Sequence, residues 1–288
     1  MADFGWKQWS LGGEGRKLKK MRADELLVSK GMVESREKAK RLIMAGKVYI
    51  NGEKVDKASR KFDEKSDIVI KEPEKYVSRG GYKIESAWKK FQFDIEGKVC
   101  CDIGASTGGF TDFLLQHGAR KVYAIDVGRG QLHWKLRNDS RVVVMEKTNA
   151  RYLQDEDLGE KVDFVTCDVS FISVLKIAHS IYNILKDGGS FLILVKPQFE
   201  APRNKVRKGV VKDKETHKEV LLKVVDFLHD IGFIVKDIWY SGVKGPKGNI
   251  EYFVFGNKNG GSRMIKNSNK VVSEVVEQAH EYFGGNGG

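Results

Sequence analysis

Val99-Cys100-Cys101-Asp102-Ile103 followed by Gly104-Ala105-Ser106-Thr107-Gly108-Gly109 constrains this chain more than any other stretch. A short apolar run that gives way at once to glycines reads as a strand entering a tight turn. Phe110 to His117 then has a helical pattern, ended by Gly118, and Val122-Tyr123-Ala124-Ile125-Asp126 reads as the next strand. Strand, turn, helix and strand in that order open an α/β sheet, because parallel neighbours need a crossover connection. The same alternation continues. Val142 to Met145, Val162 to Cys167, Ser190 to Val195, Phe233 to Trp239 and Tyr252 to Phe255 read as strands. Helical stretches intervene, one over Thr216 to His229, and Gly188-Gly189 is expected to break the helix ahead of Ser190.

The turn narrows the ligand. A dinucleotide fingerprint carries three glycines over six residues, the middle one admitting a pyrophosphate. Here Ser106 replaces that middle glycine, and no Gly-Lys-Ser or Gly-Lys-Thr marks a phosphate loop. A nucleoside ligand without pyrophosphate suits the turn better, and S-adenosylmethionine is such a ligand. The cofactor-binding candidates are Asp102, Gly104, Ala105, Ser106, Thr107, Gly108, Gly109, Asp126, Val127, Asn149 and Asp168. Asp126, about twenty residues past Gly104, can accept both ribose hydroxyls, or it can cap its own turn. Asp102 orders the glycine turn or faces the charged end of the cofactor. Asn149 sits near the adenine or serves as a loop amide.

Ligands of open α/β sheets bind beyond the carboxyl ends of the strands. Asp168 and Lys196 each follow an apolar strand immediately, and Lys83 and Glu251 can reach the same crevice from neighbouring segments. A lysine among carboxylates can orient a hydroxyl, help remove its proton or stabilise the oxygen as charge develops. Neighbouring carboxylates oppose release of the lysine's own proton, so Lys196 is expected to act by orientation and electrostatics. A structural Lys-Asp-Glu ion network is the alternative. No metal is required.

The chain carries a formal net charge of +12, which favours a polyanionic partner. Ahead of the α/β pattern, residues 21–72 form a smaller unit. It has helices near Ala23 to Lys30 and Arg36 to Met44, Ser35 as a cap, a strand through Lys47-Val48-Tyr49-Ile50 into Asn51-Gly52, and a strand at Asp67 to Ile70. Arg36, Lys38, Lys40, Arg41 and Lys47 cluster around its second helix. Such a helix can present cations to phosphates, or it is an ordinary solvated face. The strings Ser35-Arg36-Glu37-Lys38-Ala39 and Ala45-Gly46-Lys47-Val48-Tyr49-Ile50-Asn51-Gly52 resemble an S4 RNA-binding domain.

Longer strings carry a further resemblance. They are Tyr76-Val77-Ser78-Arg79-Gly80-Gly81, Asp102 through Asp112, Asn149-Ala150-Arg151, Asp168-Val169-Ser170-Phe171-Ile172-Ser173, Lys196-Pro197-Gln198-Phe199-Glu200 and Lys244 through Glu251. The span from about 21 to 257 resembles the TlyA family, historically called hemolysin A-like proteins, an S4 domain fused to an FtsJ-type ribose methyltransferase. The resemblance implies a Rossmann-like class I fold dependent on S-adenosylmethionine, with helices on both sheet faces and a small α+β S4 domain ahead of it. It also implies 2′-O-methylation of cytidine in ribosomal RNA by a catalytic tetrad matching Lys83, Asp168, Lys196 and Glu251. Three departures stand out: Ala201-Pro202-Arg203 and Arg207-Lys208-Gly209-Val210, each short of a usual glycine, and Arg129 where tyrosine is common. The first two are expected to stiffen a loop beside Lys196.

The expected organisation is a leader over 1–20, an S4-like domain over 21–72, a linker over 73–77, a methyltransferase domain over 78–258 and a C-terminal extension over 259–288. The RNA-binding candidates are Arg36, Lys38, Arg41, Lys47, Arg79, Arg203, Lys205, Arg207 and Lys208, with ribosomal RNA or ribosomal subunits as partners. Three cysteines without metal or disulfide spacing, no signal peptide and no long apolar run favour a cytoplasmic protein without a membrane partner. Nothing requires a second copy, and this architecture can fold as a monomer. Three rivals remain: an S4 protein that binds RNA without catalysis, a membrane-active hemolysin and a nicotinamide oxidoreductase.

Overall fold

The computed structural model describes residues 20–71, 74–259, 265 and 267–284. Apart from Lys20, the expected leader lies outside them. The chain divides into two compact units, residues 1–74 and 75–288.

The first unit runs β1 (Lys20–Arg22), α1 (Ala23–Ser29), α2 (Arg36–Met44), β2 (Val48–Ile50), β3 (Glu53–Lys54), β4 (Lys61–Asp63) and β5 (Ile68–Ile70). Ser35 caps α2 by accepting from the Lys38 amide at 3.2 Å. Leu26, Leu27, Ala39 and Ile43 from the helices meet Val48 and Ile50 in one core. Asn51 and Gly52 both have positive φ, so the two-residue turn between β2 and β3 matches the strand twist. Asp24, in the first turn of α1, is buried and bonded by Arg22 at 2.9 Å and Arg36 at 3.1 Å. The Arg22 hydrogen bonds above all, with help from Arg36, hold its carboxyl down at about 2 against the cost of burial.

The second unit opens with α3 (Arg79–Phe91), where the sequence reading assigns no element. Two glycines at its start hide its propensity. There follow β6 (Val99–Ile103), α4 (Gly109–Gln116), β7 (Lys121–Ile125), α5 (Trp134–Arg137), β8 (Val142–Met145), α6 (Asp155–Leu158), β9 (Val162–Cys167), α7 (Ala178–Ile184), β10 (Leu185–Val195), α8 (Pro197–Glu200), α9 (Lys214–Asp230), β11 (Phe233–Tyr240), β12 (Tyr252–Lys258) and α10 (Ser268–Gly284). The strands form one sheet in the order β11-β12-β10-β9-β6-β7-β8. The ladders β10-β9, β9-β6, β6-β7 and β7-β8 are parallel, while β12 runs antiparallel to both neighbours.

Helices cover both faces. Residues of α7, α9 and α10 pack on one side with Cys101, Val165 and Ile193, and residues of α3, α4 and α5 pack on the other with Cys100, Phe164 and Leu192. Adjacent Cys100 and Cys101 thus point to opposite faces, as the strand period requires. All three cysteines are buried and free.

Two details differ from the sequence reading. Gly188-Gly189 lies inside β10, where the register shifts between Leu185 and Ser190, and Gly188 has φ +78°. The glycines accommodate an irregularity in the strand; α7 has already ended at Ile184. The segment beyond 258 carries α10, whose Val272, Val275, Val276 and Ala279 are buried in the main core. Among the described residues no helix is long and apolar enough to cross a membrane.

Candidate active site

Two cavities of about 360 Å³ each open at the carboxyl edge of the parallel strands, and Gly104, Ser106, Asp168 and Ser170 line both. The first has apolar walls from Ile103, Ile125, Val127, Val169 and Ile177, with Asp126 and Asn149 at its polar side. The second is lined by Arg79, Lys83, Asp102, Ala105, Thr107, Gly109 and Lys196 among others. One crevice therefore has an apolar half and a charged half, joined at Asp168.

The glycine turn is built by backbone constraints. Gly104 has φ +84°, and a Cβ there would lie 2.5 Å from the Asp168 carbonyl. The two loops can meet only because it is glycine. Gly109 abuts Ser78 Oγ and the backbone of Gly80 and Gly81, which lets α3 and α4 cross closely. Gly108 lines neither of these two cavities. It is the left-handed cap of α4 and packs on Leu132 and Leu136.

Asp102 is buried, accepting from the Thr111 amide at 2.9 Å, the Thr111 hydroxyl at 2.7 Å and the Thr166 hydroxyl at 2.9 Å. Burial pushes its carboxyl up to about 6; the threonine bonds oppose this and the nearby Asp168 charge adds to it. It ties the start of α4 to β6 and β9. Asp126 accepts the Ser106 amide at 2.8 Å and the Gly128 amide at 2.7 Å, one on each carboxylate oxygen. It caps its turn, yet each oxygen keeps capacity for another donor. Asn149 caps the short turn over Ala150–Tyr152 by accepting from the Arg151 amide at 3.1 Å, while lining the first cavity.

The four expected polar residues come together as two pairs. Lys196 Nζ lies 2.5 Å from Asp168 Oδ1, an ion pair outside aligned hydrogen-bond geometry, and donates to Ser170 Oγ at 2.9 Å. Lys83 Nζ donates to Glu251 Oε2 at 2.6 Å. Lys83 sits on the first turns of α3, facing the crevice. Glu251 directly precedes β12, and because that strand is antiparallel, its start lies at the carboxyl edge of its neighbours. Gln198 donates to the other oxygen of Glu251 at 3.3 Å, and Gly245 packs against the carboxylate.

Two contributors escape the sequence reading. Phe171, with φ +65°, is 91% exposed at the mouth of the first cavity and 5.2 Å from the Phe199 ring. Glu200 accepts from the Ser173 hydroxyl at 2.6 Å and the Val174 amide at 2.8 Å, stapling the loop after β9 to α8. Both stand inside strings quoted for the family resemblance, which was the available signal.

The basic residues divide. Arg36 is bound to Asp24 and Glu25, and Lys38 to Glu34, so α2 offers Lys40 and Arg41 as its exposed cations without an ion pair among the described residues. Lys47 is half-buried. Arg79 donates to the Lys244 carbonyl at 2.6 Å at the second cavity. Arg203, Lys205, Arg207 and Lys208 are all exposed, and of these Lys205 pairs with Glu219.

Residues 76–258 match the FtsJ-like methyltransferase family, and residues 21–69 match the S4 domain. The protein named Hemolysin A from Brachyspira hyodysenteriae is 46% identical over 234 residues, covering 81% of this chain and 98% of its own. The 16S/23S rRNA (cytidine-2′-O)-methyltransferase TlyA of Mycobacterium tuberculosis is 41% identical over 240 residues, covering 82% of this chain and 90% of that protein. A solved structure, "Putative hemolysin from Streptococcus thermophilus", is 44% identical with a TM-score of 0.72, over 93% of this chain and 98% of that one. With a crevice of this build and these matches over most of its length, the chain belongs to the FtsJ-like methyltransferase family, in the branch that carries an S4 domain and includes TlyA.

Proposed function

We propose that this chain transfers a methyl group from S-adenosylmethionine to the ribose 2′-hydroxyl of cytidine in ribosomal RNA. The observation that carries the reading is the Lys196–Asp168 pair at the junction of the two cavities. The 41% identity to the M. tuberculosis methyltransferase supports the acceptor and the nucleotide.

The residues fit the cofactor. The apolar half of the crevice suits an adenine, with Asp126 at hand for ribose hydroxyls and Asn149 near the base. The turn through Gly104, Ala105, Ser106, Thr107 and Gly109 suits the amino-acid end. The cofactor, when bound, supplies an electrophilic methyl carbon. The chain's own residues do the rest. Lys196, held by Asp168 and Ser170, orients the acceptor hydroxyl and stabilises negative charge on its oxygen as the O–C bond forms and the S–C bond breaks. The hydroxyl proton leaves through this polar pair to solvent. Lys83 and Glu251 hold the wall behind it. Phe171 offers a ring face for a nucleobase, and the S4 unit and the exposed cations grip the phosphate backbone. A structural ion network suits the Lys83–Glu251 pair, but it and the binding-only alternative leave unexplained why Asp168, paired with Lys196, opens onto both cavities.

The test is incubation of the protein with labelled S-adenosylmethionine and unmodified ribosomal RNA or subunits, followed by mapping of 2′-O-methylated positions. Methyl incorporation at a cytidine ribose is expected; none into any unmodified RNA or subunit overturns the reading.

A further inference from the structure

The segment that delivers Glu251 is hydrogen-bonded to a basic hairpin. Arg207 and Val210 exchange both backbone hydrogen bonds at 3.0 Å, and Lys208 and Gly209 between them have φ +52° and +82°, a two-residue turn. This hairpin borders a third cavity with Lys205, Arg207, Lys208, Lys212 and Lys247 in its wall, and Asp213 as its acid. Lys205 pairs with Glu219, but Arg207, Lys208 and Lys212 carry no ion pair among the described residues. Unneutralised cations around a concave surface suit a phosphodiester.

Two polar anchors fasten the hairpin. Asn249 is buried and donates to the Gly209 carbonyl and to the Pro246 carbonyl, each at 2.9 Å, while its oxygen accepts from the Val211 amide at 3.3 Å. His217 is buried and its Nε2 donates to the Val211 carbonyl at 3.0 Å. That fixes Nδ1 as an acceptor, and the Tyr252 hydroxyl donates to it at 2.7 Å, with His280 Nε2 at 3.2 Å. Burial pushes His217 down to about 4, so the ring is neutral near pH 7 and the arrangement stands. The anchors run to residues 249 and 252, on either side of Glu251. Hairpin and the segment carrying Glu251 therefore belong to one hydrogen-bonded unit.

We propose that the hairpin cavity seats an RNA phosphate away from the acceptor nucleotide, and that Asn249, as a positioning residue, transmits that engagement to the Lys83–Glu251 pair. This rests on the RNA methyltransferase reading above. A basic hairpin serving solubility alone needs no buried anchors to the active-site strand.

The experiment is a double-mutant cycle on the full-length chain, with unmodified ribosomal subunits as substrate. Lys208→Ala with Lys247→Ala should raise KM for RNA about tenfold and lower the salt slope of RNA binding by about two, one per cation lost. Asn249→Ala should raise that KM similarly and lower kcat about tenfold, at unchanged cofactor affinity. Combining all three should raise KM no further than Asn249→Ala alone. Effects that multiply overturn the coupling, and an unchanged KM and salt slope in the lysine pair overturn the phosphate seat. If Asn249→Ala does not fold, Tyr252→Phe removes only the hydroxyl from the second anchor. A KM for RNA raised about threefold is expected, and an unaltered KM counts against the linkage. Absence of methyl transfer to any RNA would instead sink the parent reading. Binding of a labelled single-stranded RNA would still report on the cations.

Discussion

The two lysine–carboxylate pairs of the crevice look alike in sequence and differ in setting. Lys83 and Glu251 are sealed at the carboxylate: Glu251 is 0% exposed and lines neither cavity, while Lys83, 10% exposed, reaches only the second, and their hydrogen bond is well formed. Lys196 is as deeply buried, but Asp168 is 19% exposed and lines both cavities. A sealed pair contributes shape and order, and its charges must neutralise each other. A pair that opens onto two cavities can meet a reacting group in each. From this difference we propose that the four residues do not share one task. The Lys196–Asp168 pair should govern rate, and the Lys83–Glu251 pair should govern the stability of the wall behind it.

The largest expected effect tests the first half of that statement. Lys196→Ala should lower methyl transfer about a thousandfold, the scale of losing a positioned proton-transfer or oxyanion-stabilising group. Cofactor affinity, measured by calorimetry, should stay within about twofold. If cofactor binding and transfer fall together, Lys196 serves the cofactor and the comparison collapses.

The second half has its own signature. Glu251→Gln keeps the size and a hydrogen bond to Lys83 but leaves the lysine charge buried without its partner. Breaking such a pair typically costs about 3–5 kcal/mol. Urea unfolding should show this, with transfer reduced by only about tenfold. Adding Lys83→Met should recover much of the lost stability while transfer stays low. A stable Glu251→Gln variant with a thousandfold rate loss would reverse the assignment of the two pairs.

How far these pairs were legible follows from the same contrast. Asp168 and Lys196 are visible because each directly ends an apolar strand, and strand ends are where such sheets bind ligands. The turn at Gly104 is visible because glycines interrupt an apolar run. Lys83 and Glu251 follow no strand, so their reach to the crevice is a spatial inference that spacing does not show, and the family resemblance supplies their role. Their convergence depends on α3, whose start is disguised by the glycines that let it cross α4, and on the reversed direction of β12, which no local pattern encodes. Arg36 shows the opposite failure, since its charge is plain in sequence while its partners Asp24 and Glu25 appear only in three dimensions; the Lys38–Glu34 pair, four residues apart, is local. The last helix was findable: Val272, Val275, Val276 and Ala279 have helical spacing.

The smallest effect concerns Asp102, which lines the second cavity with Lys83, Asp168 and Lys196 and is itself perturbed by Asp168. Its folded carboxyl titrates at about 6, above the unfolded value of about 4, so the folded state holds the proton more tightly. The corresponding stability is fully present below about pH 4 and is lost as pH rises to about 6. A shift of about two units amounts to at most about 3 kcal/mol. Asp102→Asn removes the titration while its amide can still satisfy Thr111 and Thr166. Relative to the native chain, the variant should therefore gain stability between pH 4 and pH 7, and unfolding curves at both pH values check this. Parallel behaviour at the two pH values would mean that Asp102 is not protonated more readily in the fold. The carboxylate would then be ionised from about pH 4 upward rather than from about pH 6, so the open pair would feel its charge between those values as well as at pH 7. That charge would oppose ionisation of the acceptor oxygen and shift more of the work onto Lys196, sharpening the contrast with the sealed pair.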